Sequence, residues 1–246
     1  MASSNPILGR ARAIAATAPR DAAAGEMTVA GTIQKTLVLS VLVVASALYT
    51  WMRVSQGADV TPLILIGAFG GLIAAIATGF APNLALISAP IYAVLEGLAL
   101  GSISALINSE PKYAGLPVQA VMLTMVVFVG MAGLYRARII QATAKFQAIL
   151  FAATFGVFVF YMLDIGLSFF GAQMPLVSSP SPMGIAFSIL VCGIAAFNLI
   201  TDFAMIESLV AERAPKSMEW YGAFGLIVTL VWLYLETLRL LRKVRR

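Results

Sequence analysis

The chain has 246 residues, of which 61% are hydrophobic and 11% are charged, and its mean hydropathy is +0.95. Soluble domains carry about 25% charged residues, so this composition excludes an ordinary water-soluble protein and indicates an integral membrane protein. The net charge of +5 comes from Lys and Arg beside apolar runs, where they face lipid headgroups, and we therefore expect no nucleic-acid partner.

The titratable side chains narrow the chemistry further. Cys192 is the only cysteine and the sequence has no histidine, which excludes an internal disulfide framework, the usual zinc ligands and His-based catalytic triads. Carboxylates are the remaining side chains that can carry a pH response. No catalytic motif is present either, so we expect no enzymatic activity and no cofactor.

Hydropathy predicts a flexible polar arm over residues 1–34 and one transmembrane domain over residues 35–246. About 20 apolar residues are needed for each crossing. The predicted crossings are residues 35–54, 62–80, 84–106, 117–135, 146–170, 183–205 and 220–241. The fold class is therefore all-α, a polytopic helix bundle with seven transmembrane helices.

Lys and Arg in short connections favour the cytoplasmic side. They precede the first segment and lie between the fourth and fifth and between the sixth and seventh, which predicts a cytoplasmic N-terminus. Seven crossings then place the basic end, residues 239–246, on the opposite side. Either one segment fails to cross, or the last one breaks the rule.

Small residues recur every four positions in two neighbouring segments. The second has Gly67, Gly71, Ala75 and Gly79, and the third has Ala85, Ala89, Ala93, Gly97, Gly101 and Ala105. Such stripes allow close approach of helices in lipid, so we predict that these two pack against each other or against a central helix.

Each acid within the apolar segments is a candidate functional residue, because a charge at a helix centre costs about 2.5–3.5 kcal/mol on insertion scales. Glu96 lies about 18 Å into the third segment, near mid-membrane. It either lines a polar path or is a protonated structural hydrogen-bond donor. Asp164 shares a helix face with Thr154 and Tyr161 near the end of the fifth segment, where a structural role competes with a functional one.

The last two segments hold the other acids. Asp202 follows Asn198 by one turn, and this polar patch is either a gate or a hydrated helix end. Glu236 shares a face with Thr229 and is three residues before Arg239, so an ion pair could neutralise it. Glu219 lies in the first turn of the last segment, where its negative charge most simply stabilises the positive N-terminal end of that helix.

Three C-terminal stretches resemble the Bax-inhibitor family of membrane proteins, particularly its bacterial YccA-like branch. They are residues 198–207 (NLITDFAMIE), 214–226 (APKSMEWYGAFGL) and 232–241 (WLYLETLRLL). The opening residues 1–6 (MASSNP) and residues 95–101 (LEGLALG) are similar to that branch too. With the number of segments, the resemblance covers nearly the whole chain.

The resemblance implies a seven-helix fold with the last helix near the centre and a pH-sensitive calcium leak linked to stress or cell-death control. Two aspartates of the family, on the sixth and seventh helices, share a proton and close the pore. Asp202 matches the first. Thr229 occupies the place of the second, and Glu236 lies two turns further along the same face.

Two functions are expected, the first mainly from this resemblance, with Glu96 as a transient calcium contact. The first is a carboxylate-gated leak with calcium as the permeant ion, with Asp202, Glu236, Thr229 and Asn198 at the pH gate and Asp164 and Arg239 as secondary candidates. The second is a non-conducting regulatory protein that binds a membrane partner such as a quality-control protease. In both, the lipid bilayer surrounds a multi-pass protein of the bacterial plasma membrane.

Overall fold

The computed structural model describes residues 25–171 and 174–245. Within those ranges the chain forms helices and no β-strand, and seven helices are long and apolar enough to cross a membrane. The prediction of an all-α membrane protein with seven transmembrane helices is therefore confirmed. These seven long helices are α1 (Val29–Ser55), α2 (Thr61–Phe80), α3 (Ala85–Ser109), α4 (Leu116–Arg136), α5 (Ala144–Ser168), α6 (Pro182–Ala211) and α7 (Met218–Val244), and a short helix, Pro175–Ser178, lies between α5 and α6.

The first helix begins at Val29, six residues before the predicted start of the first crossing. Thr28 is its N-cap, and the side-chain oxygen accepts a hydrogen bond from the Gly31 N–H at 2.9 Å. Hydropathy misses this first turn because an N-cap depends on one polar side chain and not on apolar residues. Residues 1–24 of the predicted flexible arm lie outside the described residues.

The described chain divides into two compact units. The first holds α1 to α3 with residues 204–228. Within it α2 packs closely on α3, because a Cβ on Gly67 would lie 2.5 Å from the Leu95 carbonyl oxygen. The predicted contact between these two helices is thereby confirmed. A second contact was not predicted: Gly97 and Gly101 of α3 lie directly against the backbone of α1.

The second unit holds α4, α5, residues 182–203 of α6 and residues 229–245. Aromatic rings connect its helices. Phe128 of α4 lies 5.8 Å from Phe203 of α6, and Phe160 of α5 lies 5.0 Å from Phe187 of α6, measured between ring centroids. These pairs fix α6 against its two neighbours.

The last helix is the most buried of the seven. In its most apolar stretch of 18 residues 56% of the residues are buried, compared with 44% or less in the corresponding stretches of the other helices. The resemblance also implied that the last helix lies near the centre, and that position stays a prediction. The helix has 27 residues and is about 40 Å long at about 1.5 Å per residue, so it is long enough for a full crossing.

Each end of α7 contacts another segment of the chain. Just before α7 begins, the Ala214 carbonyl accepts a hydrogen bond from the Met27 N–H at 2.8 Å. The first described residues of the chain therefore lie beside the N-terminal end of α7. At its other end, Arg245 donates to the Ala114 carbonyl at 2.9 Å, in the α3–α4 connection. The two ends of α7 therefore contact different segments of the chain, and the side of the membrane on which each end lies stays a prediction.

Glycine substitutions test the close contact of α3 with α1. Gly97→Ala and Gly101→Ala should each destabilise the protein by about 1–3 kcal/mol, because the added methyl group overlaps α1 atoms. Gly130→Ala is the matched control, since nothing lies within 4 Å of a Cβ there, and alanine should be neutral or stabilising by up to about 1 kcal/mol. Thermal unfolding in detergent measures the difference; equal effects at the three positions would contradict the packing.

Candidate functional site

A hydrogen bond joins α6 and α7 at Asp202. The Thr229 hydroxyl donates to Asp202 Oδ2 at 2.6 Å. Thr229 is buried and lies about 17 Å from the start of α7, while Asp202 lies about 14 Å before the end of α6. Both positions are deep within helices long enough to span the hydrocarbon core. A carboxyl group here is therefore held by a hydroxyl, which can donate to the ionised acid or accept from the protonated one.

Asn198 fixes the neighbouring turn of α6 against α5. Its side-chain amide donates to the Thr154 hydroxyl at 2.9 Å and to the Ile194 carbonyl at 2.8 Å. The polar face predicted on α5 thus turns towards α6. Asn198 does not bind Asp202 in this arrangement, but it holds the helix that carries Asp202.

Glu236 has partners of its own. Its two carboxylate oxygens accept from one Arg239 guanidinium nitrogen at 2.8 and 2.9 Å, and Oε2 also accepts from the Tyr161 hydroxyl at 2.9 Å. The Arg239 guanidinium lies over the Tyr161 ring, 4.5 Å from its centroid. Glu236 is almost fully buried, and this cluster compensates its charge.

The two acids of the predicted pH gate are therefore placed in separate clusters. Glu236 lies two turns beyond Thr229, about 10 Å along α7. Asp202 is bound at the Thr229 level, whereas Glu236 is bound to Arg239 and Tyr161. The geometry pairs Asp202 with a hydroxyl and pairs Glu236 with a cation.

Glu96 of α3 faces α2. A Cβ on Gly71 would lie 2.6 Å from Glu96 Oε2, so the glycine provides the space for this carboxylate. Glu96 is only partly exposed. Its neighbour in α2 is a glycine, whereas Glu236 is bound to the cation of Arg239.

Asp164 closes the end of α5. Its Oδ1 accepts a hydrogen bond from the backbone N–H of Met174 at 2.8 Å, in the connection that leads to α6. This contact satisfies a main-chain donor after the helix has ended. The geometry thus gives Asp164 a structural contact, while its functional role stays a prediction.

Sequence reasoning missed a polar cluster at the start of α7. Glu219 Oε2 forms an ion pair with Lys35 Nζ at 2.9 Å, and Oε1 accepts from the Thr28 N–H at 3.1 Å and from the Thr28 hydroxyl at 3.0 Å. A Cβ on Gly31 would overlap the Glu219 carboxylate, so glycine is needed there. The cluster ties the first helix to the last.

This cluster also changes the explanation of Glu219. The first turn of α1 has no acidic residue of its own, and Glu219 supplies the anion to that helix end from α7. The carboxylate thus interacts favourably with the positive N-terminal end of α1, and it also lies in the first turn of α7. Thr28 and Glu219 are 191 residues apart, so no local pattern could have predicted the contact.

Comparison with protein families places the whole chain in one family. The family model described as Bax inhibitor 1 like matches residues 5–246. The chain belongs to the Bax inhibitor 1-like family. No match among curated proteins was found. The family match spans every candidate residue above and is to the family as a whole, without distinguishing a branch.

The Glu219–Lys35 ion pair of this Bax inhibitor 1-like protein can be tested by a double-mutant cycle. Glu219→Gln or Lys35→Met alone should cost about 3 kcal/mol, because each leaves one partly or fully buried charge without its partner. The double variant should cost less than the sum of the two.

The matched control is the pair Arg213 and Glu26, which is 3.8 Å long and has both side chains more than half exposed. Its removal should change stability by about 0–1 kcal/mol. Unfolding midpoints in detergent measure both pairs. Additive single effects at Glu219 and Lys35 would show that the two charges do not interact.

Proposed function

We propose that this protein is a passive cation leak, permeable to calcium, whose opening depends on the protonation state of Asp202. The observation that carries the proposal is the Asp202–Thr229 hydrogen bond, an acid deep within α6 held by a neutral hydroxyl of α7. A charged acid at this depth is costly, so the closed arrangement suits the protonated form.

The direction of the pH dependence follows from this cost. When pH falls, Asp202 takes up a proton, its charge is lost, and α6 and α7 stay joined without water. When pH rises, the carboxylate ionises and is stabilised only by contact with water or cations. Water and cations reach it only if the two helices separate locally. Flux should therefore increase with pH.

Glu236 contributes differently. Arg239 already compensates its charge, and Tyr161 donates to its second oxygen, so gain of a proton by Glu236 would break an ion pair. We assign Glu236 and Arg239 to holding α7 in place and Asp202 with Thr229 to sensing pH. Asn198 positions the sensor because it anchors α6 on α5.

Glu96 is the proposed transient contact for calcium. Its carboxylate lies beside the backbone of Gly71, and calcium prefers six to eight oxygen ligands. The described residues contain no group of three or more acidic, His or Cys side chains that could hold a metal ion. Sparse oxygens that bind weakly favour permeation over storage.

The second candidate is a non-conducting regulatory protein of the bacterial plasma membrane that binds a membrane partner such as a quality-control protease. Gly67, Gly97 and Gly101 are occupied by contacts within the chain, so partner binding would fall to other surfaces. We propose a cytoplasmic N-terminus for both functions, on the distribution of Lys and Arg in the connections.

Calcium flux into proteoliposomes tests the leak. The parent protein should conduct more at pH 8 than at pH 6, and Asp202→Asn should remove that dependence, because the amide stays neutral at both values. Glu96→Gln should lower flux at pH 8 without removing the pH response.

Two further variants sharpen the assignment. Thr229→Asp places a second acid beside Asp202, so the rise in flux should move to higher pH, since two close carboxylates retain a shared proton longer. Thr124→Val, at a buried threonine that bonds within its own helix, should leave the pH profile unchanged.

Flux no greater than in empty liposomes at either pH would refute the leak and favour the partner-binding function. Normal flux in Glu96→Gln would remove Glu96 from the path.

A further inference from the structure

Lys243, near the end of α7, is a buried cation whose three described acceptors are all uncharged. The residue is 5% exposed. The Nζ atom donates to the Leu176 carbonyl at 2.8 Å, the Gly184 carbonyl at 2.9 Å and the Ser188 hydroxyl at 2.8 Å. An ammonium group has three donors, so these oxygens satisfy it completely.

Two of the three oxygens are backbone carbonyls, and the third is the hydroxyl of Ser188. Leu176 lies in the short helix Pro175–Ser178, and Gly184 and Ser188 lie one turn apart at the start of α6. A Cβ on Gly184 would overlap the Ser179 carbonyl, so this turn is packed closely against the preceding segment. Ser188 is almost fully buried. Without the lysine, the buried acceptors would lose their donor, which is costly.

We propose that Leu176, Gly184 and Ser188 form a binding site for an ammonium-sized monovalent cation, which the ammonium group of Lys243 occupies as a tethered ligand. The distances of 2.8–2.9 Å exceed the roughly 2.3–2.6 Å typical of calcium ligands. The oxygens also include no carboxylate, which a calcium site usually has. The site therefore favours potassium, ammonium or a primary alkylammonium over calcium, and it goes beyond the proposed calcium leak.

Chemical rescue tests this site. Lys243→Ala removes the tethered cation and its stem, and n-propylammonium has the size to replace both. The thermal midpoint of Lys243→Ala in detergent should rise saturably with n-propylammonium, by on the order of 2–4 °C, and less strongly with ammonium or potassium. Choline chloride at the same ionic strength and calcium chloride should give no comparable rise.

Two control variants separate a specific site from a general salt effect. Lys243→Met fills the place of the stem with an uncharged side chain and should not respond to the amine. Lys112→Ala, in the Pro111–Tyr113 turn and exposed, should behave as the parent protein does. Adding Ser188→Ala to Lys243→Ala removes one of three acceptors and should weaken the response to n-propylammonium at least several-fold in concentration.

If Lys243→Ala does not fold, the amine is included during extraction, and recovery of monodisperse protein is measured against its concentration. Amine-dependent recovery in Lys243→Ala but not in Lys243→Met supports the site. An equal response of Lys243→Ala, Lys243→Met and the parent, or no response in any of them, overturns it. Because the readout is stability and not flux, failure here leaves the leak proposal unaffected.

Discussion

A polar side chain in the hydrocarbon region needs a partner within the protein, and the last helix shows how this chain meets that constraint. From one end of α7 to the other, Glu219 binds Lys35, Thr229 binds Asp202, and Glu236 binds Arg239 and Tyr161. Lys243 completes the series with three oxygens of the α5–α6 connection and α6. Apolar contact gives little preference in lipid, so these polar contacts specify which helices α7 touches.

The same contacts distinguish a fixed charge from a changeable one. Glu219 and Glu236 each have a basic partner within 3 Å, so each carboxylate belongs to an ion pair. Asp202 has a hydroxyl partner that serves either protonation state. Among the acids of α6 and α7 described here as contacting another helix, Asp202 is thus the one whose charge can change without breaking an ion pair, and the proposed gate rests on this difference.

The sequence predicted the helices well, because hydropathy reports directly on the length of each apolar run. It also predicted the contact between α2 and α3 from the glycine spacing, and the Glu236–Arg239 pair from their separation of three residues on one helix. It missed the first turn of α1, which depends on the Thr28 cap, and the contact of Gly97 and Gly101 with α1. The Glu219–Lys35 cluster and the Lys243 site were also beyond sequence reasoning, because they join distant segments of the chain.

Infrared difference spectroscopy in lipid tests most directly whether Asp202 is the group that changes protonation. A protonated carboxyl group has a carbonyl stretching band that is absent from the ionised form, and the band is followed between pH 6 and pH 8. We predict that the parent protein loses this band as pH rises and that Asp202→Asn lacks the change, while Glu236→Gln retains it. A pH-dependent band that persists in Asp202→Asn, or that disappears in Glu236→Gln alone, would contradict the assignment of the gate to Asp202.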